Sequence, residues 1–341
     1  MEASRVYFRI FAAAVVSLTL SSLSPLIGAT ERSTATIAQD ELQHSLNNLA
    51  QEARPGLLGV DVLDLQSGIE VQVNANHAYP MMSVFKAPVA AVVLSRIDKG
   101  QLSLEQKVTI NRVDVEAGSA VPSIGANFHG EQMTFTVNQL LSAAVSDSDN
   151  TAADALVKLV GGPRVVTAFL RAHGIEGMRV DLDEAGVGRI FEDFKPGEKL
   201  PPNESPQEAH RRNQRGYKAY LSDPRNRSTP IAAVLFLREL WSDELLSRQS
   251  TDHLLSLLYD QTVPNRLRAG LPNGIRLADK CGTSYSLDGE TAAYNDIGIL
   301  TGPNGHTVIV AAFLTASRAS KAERDALFAD LARNIITTFH L

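Results

Sequence analysis

Apolar positions recurring every three or four residues run through "IAQDELQHSLNNLAQEA" at 37–53, which predicts a helix. The next apolar run, "LLGVDVLDLQSGIEVQVN", alternates about a Gln-Ser-Gly break and predicts two strands joined by a turn. Residues 83–100, "SVFKAPVAAVVLSRIDKG", are apolar on nearly every side and close on lysine and glycine, the pattern of a buried helix. Three more helical patterns follow, "FTVNQLLSAAV", "TAADALVKLV" and "PRVVTAFLRAHG", and two later ones, "TPIAAVLFLRELW" and "STDHLLSLLYDQ". Between these groups, Asp181 to Ser228 is charged, proline-rich and without sustained period, and predicts one long excursion. "IRLADKCGT", "AAYNDIGILT" and "HTVIVAAFLT" predict three strands, the last two joined by a Gly-Pro-Asn-Gly turn, and "KAERDALFADLARNIITTF" a closing helix.

Strands at both ends with helices between them predict an α+β (mixed α/β) fold. In it, an antiparallel five-stranded sheet is formed from both termini and flanked by helices, with an inserted all-helical lobe. About 85–228 would supply the lobe and the excursion, and 40–84 plus 229–341 the sheet. No internal repeat or low-complexity tract interrupts this division.

The N-terminus departs from the globular pattern. Arg5 and Arg9 precede an apolar run from Phe11 to Leu20 and a "PLIGA" segment, the grammar of a secretory signal cleaved after Ala29 or Ala35. Serines 17, 21, 22 and 24 and Pro25 break the run before it reaches the roughly 20 apolar residues a spanning helix needs. Residues 1–29 are therefore expected to be removed, leaving a soluble chain, 30–341. The full chain of 341 residues is 44% hydrophobic with a formal charge of −6, a mild acidity that argues against nucleic acid or an anionic membrane as partner. One cysteine, Cys281, excludes an internal disulfide, and the scattered histidines offer no metal cluster, so neither metal nor cofactor is expected.

Three short stretches carry chemistry. Ser83 and Lys86 in "SVFK" stand one helical turn apart in an apolar setting, where a lysine can serve as proton partner to a serine nucleophile. Ser148-Asp149-Asn150 falls between two helical patterns, where polar side chains can cap a helix and also project into a cleft. Lys280, Cys281 and Gly282 lie on a strand, where the glycine allows close approach to the backbone, and alternation puts Cys281 and Thr283 on one face and Lys280 on the other.

In this order the three stretches resemble the S-x-x-K, S-D-N and K-T-G elements of the penicillin-recognising serine hydrolases. Within that superfamily, residues 40–341 resemble a class A β-lactamase, of the subgroup whose KTGTS is followed by TAATND. The resemblance implies that Ser83 is acylated, Lys86 is its proton partner and Ser148 relays a proton to the departing β-lactam nitrogen. It implies further that Lys280 governs the electrostatics around Ser148, that Asn150 binds the substrate's side-chain amide, and that the Ser83 and Thr283 N–H groups form an oxyanion hole. Cys281, Gly282, Thr283 and Ser284 would line the substrate, with Arg266 of "NRLRAGLP" anchoring its carboxylate. "RVDLDEAGVG" aligned with the family's R-L-D-x-x-E-x-x-L-N makes Glu184 the base for deacylation. A periplasmic or secreted monomer acting on a small β-lactam is the implied setting.

Three departures qualify the likeness. The asparagine that helps hold the hydrolytic water is Gly188, the K-T-G threonine is Cys281, and the segment to Ser228 is longer than the family's. A peptidoglycan DD-peptidase and a slowly deacylating sensor share the three motifs and remain as alternatives, the Glu184 alignment favouring the lactamase.

Overall fold

The computed structural model describes residues 26–341 except 196, 199, 200 and 202, with side chains described from residue 36 onward. The signal reading of residues 1–29 lies almost wholly outside the described residues. Helix α1 (Leu26–Glu52) leads to strands β1 (Leu57–Asp64) and β2 (Glu70–Val73). Strand β3 (Tyr79–Pro80) and a 3-10 turn, Met82–Phe85, enter α2 (Lys86–Asp98). The second lobe holds β4 (Lys107–Asn111), β5 (Gln132–Thr136), α3 (Val137–Val145), α4 (Asn150–Leu159), α5 (Pro163–Ala172), β6 (Met178–Arg179) and α6 (Glu184–Phe191). It is followed by α7 (Pro206–Ser222), β7 (Arg227–Ser228), α8 (Pro230–Trp241) and α9 (Arg248–Tyr259). A 3-10 stretch, Arg266–Gly270, precedes β8 (Arg276–Thr283), β9 (Ser286–Leu287), β10 (Glu290–Thr301), β11 (Thr307–Ser317) and α10 (Lys321–Phe339).

The sheet runs β2-β1-β11-β10-β8, entirely antiparallel, with the short β9 paired to β10. This is the five-stranded sheet expected from the two termini, with one two-residue strand added. Strands β10 and β11 are buried on both faces, so β11 reads as a nearly continuous apolar run rather than as an alternation, while β10 also buries Asn295 and Asp296. The period of two still sorts the side chains: Val308, Val310 and Ala312 join Leu42, Leu46, Phe328 and Leu331 under α1 and α10. Ile309, Ala311 and Phe313 join a second core with Val89, Val93 and Phe236 from α2 and α8. Helix α2 is buried from Lys86 to Ser95, and its all-round apolar sequence follows from that central position.

Two regions differ from expectation. The excursion over 181–228 contains two helices, of which α7 is 17 residues long. Its start was legible: Ser205 caps the helix, Glu208 returns the bond to the Ser205 N–H, and Pro206 occupies the first turn. Its charged outer face hid the period, because only Gly216, Tyr217 and Tyr220 are buried. The lobe also carries a β4–β5 hairpin and a three-stranded ladder, β3-β7-β6, whose two-residue strands are too short for any alternation to appear.

Asp61 is an expense within this fold. It is fully buried on β1, and neither carboxyl oxygen has a hydrogen-bond partner. Burial, reinforced by the charge of Glu70, pushes it from 3.8 up to about 7. Between those values the folded chain keeps a proton that the unfolded chain releases, so stability falls as pH rises and the full penalty is present above about 7. Asp61→Asn should therefore melt several degrees higher than wild type at pH 8 and lose most of that advantage at pH 5; equal shifts at both pH values in thermal unfolding would refute this.

Candidate active site

Ser83 lies where β3 turns into α2. It belongs to the 3-10 turn, while Lys86 opens the α-helix, so the expected single helix divides between the two residues. Met82, just before Ser83, has a left-handed φ of 47°, a conformation a bulky residue keeps only when its surroundings hold it. Asn295 Nδ2, on β10, donates to Pro80 O at 2.7 Å and Met81 O at 3.1 Å. The Met81 N–H donates to Asn226 O at 3.0 Å. Gly282 backs the turn directly: a Cβ there would collide with Met81 O and come within 3.2 Å of Ser83 N. The glycine's close approach is thus to the protein's own turn at Ser83.

Lys86 is wholly buried at the centre. Its Nζ donates to Ser148 O at 2.7 Å, Ser148 Oγ at 3.4 Å and Asn150 Oδ1 at 2.6 Å, and lies 3.0 Å from Glu184 Oε1. Ser83 Oγ donates to the same Glu184 oxygen at 3.4 Å. Lys280, also wholly buried, donates from Nζ to Ser148 Oγ at 3.0 Å and to Cys281 O at 3.1 Å. Burial, with the Lys86 ammonium nearby, pushes Lys280 below its usual range. The Ser148 hydroxyl therefore stands between two lysines, presented by a left-handed backbone of φ 59°. Asp149 does the capping: its carboxylate accepts from Ala152 N at 2.9 Å and Ile124 N at 2.9 Å. Asn150 Nδ2 donates to Ala117 O at 2.6 Å, tying the tripeptide to the cleft's far wall.

Glu184 opens α6, capped by Asp183, and is held from two sides that the sequence reading missed. Asp154, one turn beyond Asn150 on α4, accepts the Glu184 N–H at 2.7 Å and the Ala185 N–H at 3.0 Å. Burial pushes Asp154 up to about 8, against the pull of those two donors. Asn226, in the left-handed region at φ 48°, accepts the Asp181 and Leu182 N–H groups at 2.8 and 2.9 Å. An Asp four residues after S-D-N, on the same helical face, was the available signal.

On β8 the alternation expected for Lys280 and its neighbours holds. Thr283 Oγ1 accepts from Arg266 Nη2, on the face opposite Lys280. Arg266 is buried, its guanidinium carbon 4.0 Å from the Tyr294 ring centroid and its Nε without a partner. Cys281 is a buried free thiol. Since the Ser284 N–H donates to Ala293 O at 3.0 Å, the neighbouring Thr283 N–H is directed away from β10, toward the free edge of the sheet. Ser284 departs from its expected role: its hydroxyl donates to Tyr285 O and accepts from Ala293 N, both at 3.0 Å, and so is committed to backbone.

A cleft of about 440 Å³ adjoins the site, and Met82, Asn150, Glu184, Gly188, Thr283 and Tyr285 are among its lining residues. Beside Gly188 the space is open, with no atom within 4 Å of where a Cβ would stand. An antiparallel sheet joined to a helical lobe, with S-x-x-K, S-D-N and a lysine strand meeting at the seam, defines the class of penicillin-recognising serine hydrolases. The family model described as "Beta-lactamase enzyme family" matches residues 41–339. The chain is 29% identical over 297 residues to β-lactamase VEB-1 of Pseudomonas aeruginosa, covering 86% of this chain and 89% of that one. It is 32% identical over 262 residues to the extended-spectrum β-lactamase PER-1 of the same organism, 76% of this chain and 75% of that one. Among solved structures, a β-lactamase from Chitinophaga pinensis superposes with a TM-score of 0.72 at 30% identity, covering 86% of this chain and 97% of its own. An ancestral class A β-lactamase gives 0.71 at 31% identity, covering 87% and 100%. The chain belongs to the β-lactamase enzyme family, in class A.

Asp154→Ala would leave the first two N–H groups of α6 without acceptors. Stability should fall by about 1–3 kcal/mol, and amide exchange over residues 182–188 should accelerate. Unchanged exchange would show that the helix start is held by other means.

Proposed function

We propose that this protein is a serine hydrolase opening the β-lactam amide of penicillins and cephalosporins, which confers resistance to these antibiotics. The observation that carries the reading is one carboxylate oxygen, Glu184 Oε1, within 3.4 Å of Ser83 Oγ and 3.0 Å of Lys86 Nζ. Nucleophile, proton partner and base thus share a single point.

In the first half-reaction Ser83 Oγ bonds to the lactam carbonyl carbon while its proton passes to the Lys86–Glu184 pair. The carbonyl oxygen gathers negative charge between the Ser83 and Thr283 N–H groups. As the C–N bond breaks, Ser148 gives its proton to the nitrogen, and the two lysines at its hydroxyl supply the replacement. Asn150 takes the substrate's side-chain amide, and Arg266 with Thr283 takes its carboxylate. In the second half-reaction Glu184 draws a proton from water, whose oxygen attacks the ester. Ser83 leaves with a proton, and one water has been consumed per amide opened.

Two residues set the efficiency. With hydrogen in place of a side chain at 188, the water has one fewer partner, and deacylation is slowed more than acylation. At Cys281 a weak thiol donor stands where the family offers a hydroxyl, so Thr283 and Arg266 carry the carboxylate contact. The catalytic domain is 30–341, a monomer exported behind a signal cut after Ala29 or Ala35 and acting in the periplasm or outside the cell. Among the described residues no helix is long and apolar enough to cross a membrane.

Turnover of a chromogenic cephalosporin tests the reaction. Wild type should turn over continuously, with an acyl adduct on Ser83 visible by mass spectrometry after quenching. Glu184→Ala should give one stoichiometric burst and a steady-state rate lower by about 10²–10⁴-fold. A burst without turnover in wild type would identify the sensor or peptidase instead. Cys281→Thr should lower KM severalfold at similar kcat; identical kinetics would assign the thiol no part in substrate grip.

A further inference from the structure

Helix α7 reaches the nucleophile turn through Tyr220. That side chain is 2% exposed, and its O–H donates to Met82 Sδ at 2.8 Å. Its ring packs on Phe191 of α6, with centroids 4.0 Å apart, and the Arg227 guanidinium lies 5.5 Å from its centroid. Arg227 also donates to the carbonyls that end α7, to Tyr220 O and, at 3.0 Å, to Leu221 O. Gly216 lets α7 lie against α6, because a Cβ there would collide with the Phe191 carbonyl. Val187, Phe191, Tyr217, Tyr220 and Ala292 close around this contact as a small core of their own. Burial keeps the Tyr220 phenol well above its ordinary range, so the group is a donor.

The acceptor sits at a strained place. Met82 holds a left-handed backbone one residue before Ser83, and its side chain borders the cleft. Asn295, Asn226 and Gly282 restrain Pro80 and Met81 and back the turn; Tyr220 restrains the Met82 side chain itself. A thioether chain with three rotatable bonds is otherwise adaptable. Fixing it limits the rotations that would let the left-handed turn relax and swing Ser83 Oγ away from Glu184.

We infer that Tyr220 is a positioning residue for acylation, its hydroxyl locking Met82 and through it the turn that aims Ser83. The segment over 181–228 is then a buttress of the nucleophile. This rests on the acyl-enzyme reading at Ser83.

Pre-steady-state acylation by a penicillin, counted per titrated active site, tests the inference in the full chain. Tyr220→Phe keeps the ring and removes the donor. It should lower the acylation rate constant about 3–10-fold, the scale of one hydrogen bond, with substrate affinity and melting temperature near wild type. Met82→Leu should show a similar fall, and the double variant no further one, since both remove the same contact. A tyrosine that merely fills space would leave the rate per site unchanged in Tyr220→Phe, which keeps the ring. Wild-type acylation by Tyr220→Phe, or additive losses in the double variant, overturns the inference alone. If Tyr220→Phe does not fold, Met82→Leu decides by the same rate. A wild type that forms no Ser83 adduct overturns the acyl-enzyme reading together with it.

Discussion

An ammonium with no exposed surface must find acceptors inside the protein, and Lys86 finds them on three separate stretches of chain. It binds Ser148 between α3 and α4, Asn150 at the start of α4, and Glu184 at the start of α6. Removing such a charge from water costs several kcal/mol unless the geometry of its partners is good. The helical lobe, the excursion and the root of α2 are therefore bound to one relative placement. Ser83 lies one turn before this hub, so the interaction that satisfies the lysine also sets what the serine faces.

The surrounding structure serves to keep that placement rigid. From the sheet side, Asn295 on β10 and Gly282 on β8 hold the chain entering the turn, while Lys280 reaches Ser148 across the seam. From the lobe side, Asp154 and Asn226 accept the N–H groups before and at the start of α6. Asn295, Lys280 and Asn226 are buried polar groups whose partners are backbone or the site itself, so each fixes a segment as well as itself. Electrostatics follows from the same crowding: the depression of Lys280 comes first from burial and then from sharing Ser148 with Lys86.

Helix α7 changes how the long excursion is understood. A charged, proline-rich stretch reads as surface chain, yet its inner face supplies Tyr217 and Tyr220 to a core beside the cleft. The residues with which it does so are aromatic and few. Only three positions of 17 are buried, too sparse for a helical period but sufficient for a helix that touches its neighbours along one narrow line.

By itself the sequence determined the two-part architecture and the antiparallel sheet drawn from both termini, and it singled out Ser83, Lys86, Ser148, Glu184 and Lys280 as candidates for one site. These were legible because strand alternation, helical period and motif spacing are local properties, written within a few residues of one another. Tertiary structure alone decided that Glu184 Oε1 meets both Ser83 and Lys86, that Gly282 backs the turn, and that Ser284 is spent on backbone. It also brought in Asn226, Asn295 and Tyr220, which no motif singles out, and Asp154, which only its spacing from S-D-N points to. Their work is to bond segments separated by 30 to more than 200 positions, and such pairings have no signature in a chain until folding has brought the partners within hydrogen-bond reach.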